Sequence, residues 1–127
     1  MSSLEKILYV EDEPDICEVA QLSLEAVGGF EVKLCSSGAD ALQEAPLFLP
    51  DLILLDVMMP GMDGKTTFQE LRKIPQLAST PIIFMTAKVQ VQEVARYKEM
   101  GALDVVQKPF DPMTLPDQIK AIWGKHS

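Results

Sequence analysis

Four strand-like runs in this sequence end on residues that carry charge or a hydroxyl. Ile7–Val10 runs into Glu11 and Asp12, Leu52–Leu55 into Asp56, Pro81–Met85 into Thr86, and Asp104–Gln107 into Lys108. In an open parallel sheet ligands bind beyond the carboxyl ends of the strands, so this placement gathers three carboxylates, a hydroxyl and an ammonium on one edge. Crowded carboxylates repel one another, a cost that fold stability does not explain unless a cation shares the site. Hard oxygen donors select Mg²⁺, Ca²⁺ or Mn²⁺, and Mg²⁺ favours one or two carboxylates completed by waters and phosphate oxygens. A small acidic cup beside a hydroxyl and a lysine therefore suits a transferring phosphoryl group, which the lysine would neutralise as a point charge. A carboxylate is also a competent nucleophile toward phosphorus, which gives Asp56 a role beyond metal binding.

The elements that must position these groups follow from the apolar pattern. The runs Ile7–Val10, Leu52–Leu55 and Pro81–Met85 are continuous, as expected of interior strands of a parallel sheet. Phe30–Cys35 alternates apolar and charged residues, so it predicts a strand covered on one face at a sheet edge. Asp104–Gln107, with polar ends between Gly101 and Lys108-Pro109, predicts the other edge. Helical periodicity fills the gaps. A first helix starts near Pro14, carries Ile16, Val19, Ala20, Leu24 and Val27 on one stripe, and stops at Gly28 and Gly29. Others span about Ala39–Ala45, Lys65–Lys73 and Val91–Met100, and the last carries Leu115, Ile119, Ile122 and Trp123. Five strands alternating with five helices predict an α/β fold with a parallel sheet.

Composition bounds the function. At 127 residues the chain suits one domain over 1–127, burying roughly two-thirds of its unfolded surface. Nineteen acids against eleven Lys and Arg give a formal charge of -8, which disfavours nucleic acid and anionic membrane as direct partners. Cys17 and Cys35 lack metal-ligand spacing, and with no leader or membrane-length apolar run before or between them, reduced thiols in a soluble cytoplasmic protein are expected.

Each residue also has a plainer reading. Glu11, Asp12 and Glu13 before Pro14 suit the acidic start of a helix. Thr86 could cap the next helix and Lys108 could be solvated, but the joint placement with Asp56 favours a site. Asp63 reads as a helix cap, Met58, Met59 and Met62 as loop and core-edge filler, and His126 as tail.

Four strings, each at a predicted strand end, resemble the response-regulator receiver family: Ile7-Leu8-Tyr9-Val10-Glu11-Asp12-Glu13-Pro14, Leu54-Leu55-Asp56-Val57-Met58-Met59-Pro60-Gly61-Met62-Asp63-Gly64, Met85-Thr86-Ala87 and Lys108-Pro109-Phe110. The resemblance covers nearly the whole chain and implies a doubly wound, flavodoxin-like (CheY-like) sheet of five parallel strands in the order 2-1-3-4-5 with five helices. It implies that Asp56 is the phosphoacceptor, and that Asp12, Asp56 and the backbone carbonyl of Met58 bind Mg²⁺ with Glu11 contributing through water. Thr86 and Lys108 would hold the phosphoryl group, drawing two loops toward the new charge. It further implies a cis Lys108-Pro109 bond, and lifetime-tuning positions at Met58 and Lys88. The donor would be a phosphohistidine on a sensor kinase or histidine phosphotransfer protein. Output would pass from the fourth helix, fifth strand and fifth helix to an unidentified effector protein, because the chain shows no second domain. The domain would take part only in its own phosphotransfer and dephosphorylation, without turnover as an enzyme.

Two positions depart from the family pattern. Val105 stands three residues before Lys108, where receivers usually carry Tyr or Phe, so signalling is expected to depend on backbone movement around Thr86. Pro116 falls where the last helix should already run, which points to Thr114 as its N-cap. Rival readings are an unphosphorylated receiver-like interaction module, a flavin protein and an aspartyl-phosphate phosphatase. The intact set Glu11, Asp12, Asp56, Thr86 and Lys108 argues against the first. Acids in place of a hydroxyl- and glycine-rich loop argue against the second, and Pro14 in place of a second Asp after Asp12 argues against the third.

Overall fold

The continuous apolar runs are the strands buried on both faces. In the computed structural model, which describes residues 3–126, β3 (Leu52–Asp56) and β4 (Ile82–Thr86) are buried at every position, and β1 (Lys6–Val10) at all but its first. The alternating run forms β2 (Glu31–Cys35) and the short polar-ended one β5 (Asp104–Gln107), and both lie at the edges. All neighbouring strands pair in parallel, and the order is β2-β1-β3-β4-β5, the doubly wound arrangement expected.

Five α-helices cover the two faces: α1 (Pro14–Leu22), α2 (Gly38–Phe48), α3 (Gly64–Arg72), α4 (Val91–Met100) and α5 (Leu115–His126). Side chains alternate across a strand, so each strand feeds two separate cores. Ile7, Tyr9, Leu52, Leu54, Ile83, Met85 and Val106 pack with Ala20 of α1 and with Leu115, Ile119 and Ile122 of α5. Leu8, Val10, Ile53, Leu55, Ile82 and Phe84 pack on the other face with residues of α2, α3 and α4. One face is therefore the α1/α5 side and the other the α2–α4 side.

Several local expectations change. The first helix does not keep one stripe to its end, because α1 passes into a π turn at Ser23–Val27. Ala20 and Leu24 are buried, the wider turn then leaves Val27 exposed, and Val19 is exposed within α1 itself. Ser23 Oγ at this turn donates to the carbonyl of Pro112, tying α1 to the loop before α5. Helix α2 continues past Ala45 through Pro46 to Phe48 and ends on Leu49, whose φ of 52° is left-handed. Pro116 causes no break: it is the second residue of α5, where a missing N–H is one of the donors that no helix satisfies. Thr114 precedes that helix and its carbonyl accepts from Gln118 N, but Asp111 holds the turn, its Oδ1 accepting from Met113 N and its carbonyl from Leu115 N. His126 belongs to the last turn of α5 rather than to a tail.

Asp63 caps α3 as expected, accepting from Thr66 N at 2.9 Å. The thiols of Cys17 and Cys35 are free and buried, and burial pushes them up to about 11 and about 12. No helix among the described residues is long and apolar enough to cross a membrane.

Candidate functional site

Strand register brings the chemical residues together. Val10 lies opposite Leu55, which places Glu11 level with Asp56, and Asp56 lies opposite Met85, one residue before Thr86. Lys108 N donates to the Thr86 carbonyl, carrying the sheet pairing one step beyond β5. Glu11, Asp56 and Lys108 continue the alternation of Tyr9, Leu54 and Val106, and they meet on one side of the sheet's upper edge. Lys108 Nζ lies 2.7 Å from Glu11 Oε1 and 3.3 Å from Asp56 Oδ2. The Lys108-Pro109 bond is cis, as the resemblance implies.

The remaining lone pairs have partners close by. Asp56 Oδ1 accepts from Met58 N at 3.2 Å, Glu11 Oε2 from Glu13 N at 3.5 Å, and the Glu11 carbonyl from the Cys17 thiol. Glu11 and Asp56 are buried and Asp12 is half-buried, and carboxylate oxygens of all three lie within 4.8 Å of one another. Two oxygens across a bound Mg²⁺ stand about 4.2 Å apart, so the spacing and the all-oxygen donor set fit a small hard cation. One ammonium against three carboxylates leaves an excess of negative charge for such an ion to offset.

The electrostatics record this crowding. Burial pushes the Glu11 carboxyl up to about 7, with Asp56 adding to the shift and the Lys108 hydrogen bond opposing it. Burial works against the Lys108 charge, but Glu11 and Asp56 more than compensate and its pKa is raised, so it stays an ammonium. Tyr9, beneath the site, has a buried hydroxyl with no partner among the described residues. Burial, reinforced by Glu11, Cys17 and Asp56, keeps that phenol neutral.

Thr86 sits differently. It is buried and continues the alternation of Phe84, so its side chain belongs to the α2–α4 side, and its Oγ1 accepts from Lys88 N at 3.1 Å. Of the loop methionines, Met59 is buried as filler should be, whereas Met58 is 74% exposed at the mouth of the site.

The comparisons agree with this geometry. A family model described as the response regulator receiver domain matches residues 7–120. The chain belongs to the response regulator receiver family. The receiver is 40% identical over 117 residues to the alkaline phosphatase synthesis transcriptional regulatory protein PhoP of Bacillus subtilis, a match covering 92% of this chain and 48% of that protein. It thus spans about half the length of the curated relatives it matches. Among solved structures, chemotaxis protein CheY4 of Vibrio cholerae superposes with a TM-score of 0.86 at 30% identity, covering 94% of this chain and 99% of that one. A response regulator described as putative from Chloroflexus aurantiacus gives 0.83 at 34% identity, covering 96% and 99%.

One positioning residue of the receiver escapes sequence reasoning. Gly64 opens α3, and a Cβ there would stand 2.3 Å from the Asp56 carbonyl oxygen and 2.7 Å from Val57 Cα. The Pro60-Gly61-Met62-Asp63-Gly64 string carried the signal, but the contact depends on how α3 returns to β3. Gly64→Ala is expected to lower stability by about 1–3 kcal/mol through this overlap, although Gly→Ala inside an open helix usually stabilises. Urea denaturation of the variant checks the sign, and an unchanged midpoint would show that the loop accommodates the methyl.

Proposed function

We propose that this receiver accepts a phosphoryl group on Asp56 from a phosphohistidine of a sensor kinase or histidine phosphotransfer protein, in a Mg²⁺-dependent reaction. The observation that carries the reading is the buried Asp56 carboxylate, kept beside a fixed ammonium and two further carboxylates at an edge open to solvent. An Asp56 oxygen attacks phosphorus, the P–O bond of an acyl phosphate forms as the P–N bond breaks, and the imidazole leaves with the electron pair and takes up a proton. Lys108 stands ready for the negative oxygens of the transferred group, and Thr86 supplies a hydroxyl from the other side of the sheet. Asp12, Asp56, the carbonyl of Met58 and, through water, Glu11 would hold Mg²⁺, which when bound offsets the charge of carboxylates and phosphoryl oxygens together.

A phosphorylated imidazole can reach Asp56 only if its carrier rests on the neighbouring surface. Beside Lys108 lies an apolar groove of about 240 Å³ lined by Asp15, Ile16, Val19, Pro109 and Phe110. Together with the exposed Met58, it offers a carrier an apolar seat next to the acidic cup. Val19, misplaced by its periodicity, belongs to this groove.

The test is incorporation of one phosphoryl group from acetyl phosphate, read promptly by intact-mass spectrometry because acyl phosphates hydrolyse. Incorporation with Mg²⁺ and its loss on adding EDTA is the expected result. A chain that gains no mass with Mg²⁺ present would instead be an interaction module that keeps the fold without the chemistry.

A further inference from the structure

Tyr9 is 1% exposed in the middle of the sheet, and among the described residues its hydroxyl is the one buried side-chain polar atom without a hydrogen-bond partner. A buried donor left in this way costs stability that a phenylalanine of the same shape would not, so its presence in β1 calls for a partner in another state of the chain. The apolar cluster around it supplies none. Leu34 and Leu54 flank Tyr9 in the sheet, and Ala20, Leu24, Leu115 and Ile119 cover it from α1, the π turn and α5.

The polar groups lie one row higher on the same side. Side chains two apart on a strand point the same way, so Glu11 follows Tyr9 along β1 at a step of about 6.6 Å, a gap that two long side chains close between them. Asp56 follows the neighbouring Leu54 in the same manner. After burial, the groups that bear on the phenol are Glu11, Cys17 and Asp56. The Cys17 thiol is engaged at the Glu11 carbonyl, and Asp56 has both Met58 N and Lys108. Glu11 Oε2 faces Glu13 N at 3.5 Å, whereas Oε1 depends on the Lys108 ammonium at 2.7 Å. That ammonium is also the group that turns to the oxygens of a phosphoryl group on Asp56. Its departure leaves a buried carboxylate oxygen without a donor, one row above a buried donor without an acceptor.

We propose that Tyr9 is a positioning residue of the site: its hydroxyl takes over the Glu11 carboxylate whenever Lys108 leaves it, as it does for a phosphoryl group on Asp56. The event rests on the reading of Asp56 as phosphoacceptor, and the choice of partner on the geometry of β1. Held from below, Glu11 keeps its place beside Asp12 and Asp56 while the ammonium is engaged elsewhere.

Lys108→Met removes the present donor without any phosphoryl group, so the sign of a second substitution tests the exchange. In the wild-type background Tyr9→Phe deletes an unpartnered hydroxyl and is expected to raise the folded-to-unfolded ratio by about threefold in urea titrations. In the Lys108→Met background it deletes the donor to Glu11 and is expected to lower that ratio by about three- to tenfold. An effect of the same sign in both backgrounds overturns the proposal, whether the hydroxyl acts through packing or already has a water as its partner. The sequence holds two tyrosines, Tyr9 and Tyr97, so labelling with 3-fluorotyrosine gives two ¹⁹F lines, which the spectrum of Tyr9→Phe assigns. With acetyl phosphate and Mg²⁺ the Tyr9 line is expected to shift in proportion to the phosphorylated fraction found by mass. A stationary line in a chain that has gained phosphoryl mass overturns the proposal even if Lys108→Met does not fold. Absence of the mass overturns the phosphoacceptor reading itself, while the urea comparison still decides the exchange between Lys108 and Tyr9.

Discussion

Asp56→Asn is expected to take phosphoryl incorporation from as much as one group per chain to none. The amide nitrogen that replaces one carboxylate oxygen has no lone pair available for attack, and no other carboxylate here has the same surroundings. Glu11 is engaged by Lys108 at 2.7 Å and its pKa is raised, while Asp12 stands half-exposed at the rim. The asparagine keeps an oxygen to accept from Met58 N and lowers the number of crowded carboxylates from three to two. Stability is therefore expected to stay within about 1 kcal/mol of the wild type, which separates loss of chemistry from loss of fold. Intact mass with a thermal melt on the same sample checks both halves. Equal phosphoryl mass on Asp56→Asn would move the acceptor elsewhere.

Lys108→Met should have the opposite signature, a loss of stability visible without any phosphodonor. The methionine preserves most of the stem but leaves Glu11 and Asp56 buried without their cation, at an expected cost of about 2–4 kcal/mol at neutral pH. The pH dependence follows from the sign of the shift. Burial already raises the Glu11 carboxyl to about 7, and without the ammonium that opposes this shift Glu11 binds its proton more tightly still in the folded chain than in the unfolded one. The protonated form sustains stability below the unfolded carboxyl range, and that contribution is lost as pH rises through the raised folded value of Glu11. The deficit relative to wild type should be small near pH 5 and largest above pH 7, and added Mg²⁺ should recover part of it by mass action. A deficit independent of both pH and Mg²⁺ would mean that Lys108 acts through packing alone.

These two residues were legible in the sequence for the same physical reason. Strands buried on both faces are continuous apolar runs, so the first polar residue after each run marks the sheet's carboxyl edge, and the doubly wound fold brings those ends together. What the sequence hid depends on tertiary approach. Gly64 looks like any turn glycine until α3 is seen returning against the Asp56 carbonyl. Tyr97 looks like one aromatic on a mostly polar helix, and only the crossing of α4 brings it against Phe84 in the core of the α2–α4 side. Val27 was assigned to a buried stripe because periodicity assumes a constant 3.6 residues per turn, which the π turn at Ser23–Val27 breaks, whereas Val19 is exposed because α1 turns Cys17 and Ala20 to the core in its place.

The uneven attachment of the helices gives the domain a stiff side and a compliant one. The α1/α5 layer is secured by Ala20, Leu24, Leu115, Ile119 and Ile122 and fastened across by the Ser23 hydroxyl on the Pro112 carbonyl. On the other side Tyr97 is the one fully buried residue of α4, joined by the partly buried Met100. Strain introduced at the strand ends distributes according to resistance, so displacement collects in α4 while the layer beside the acidic cup keeps its shape.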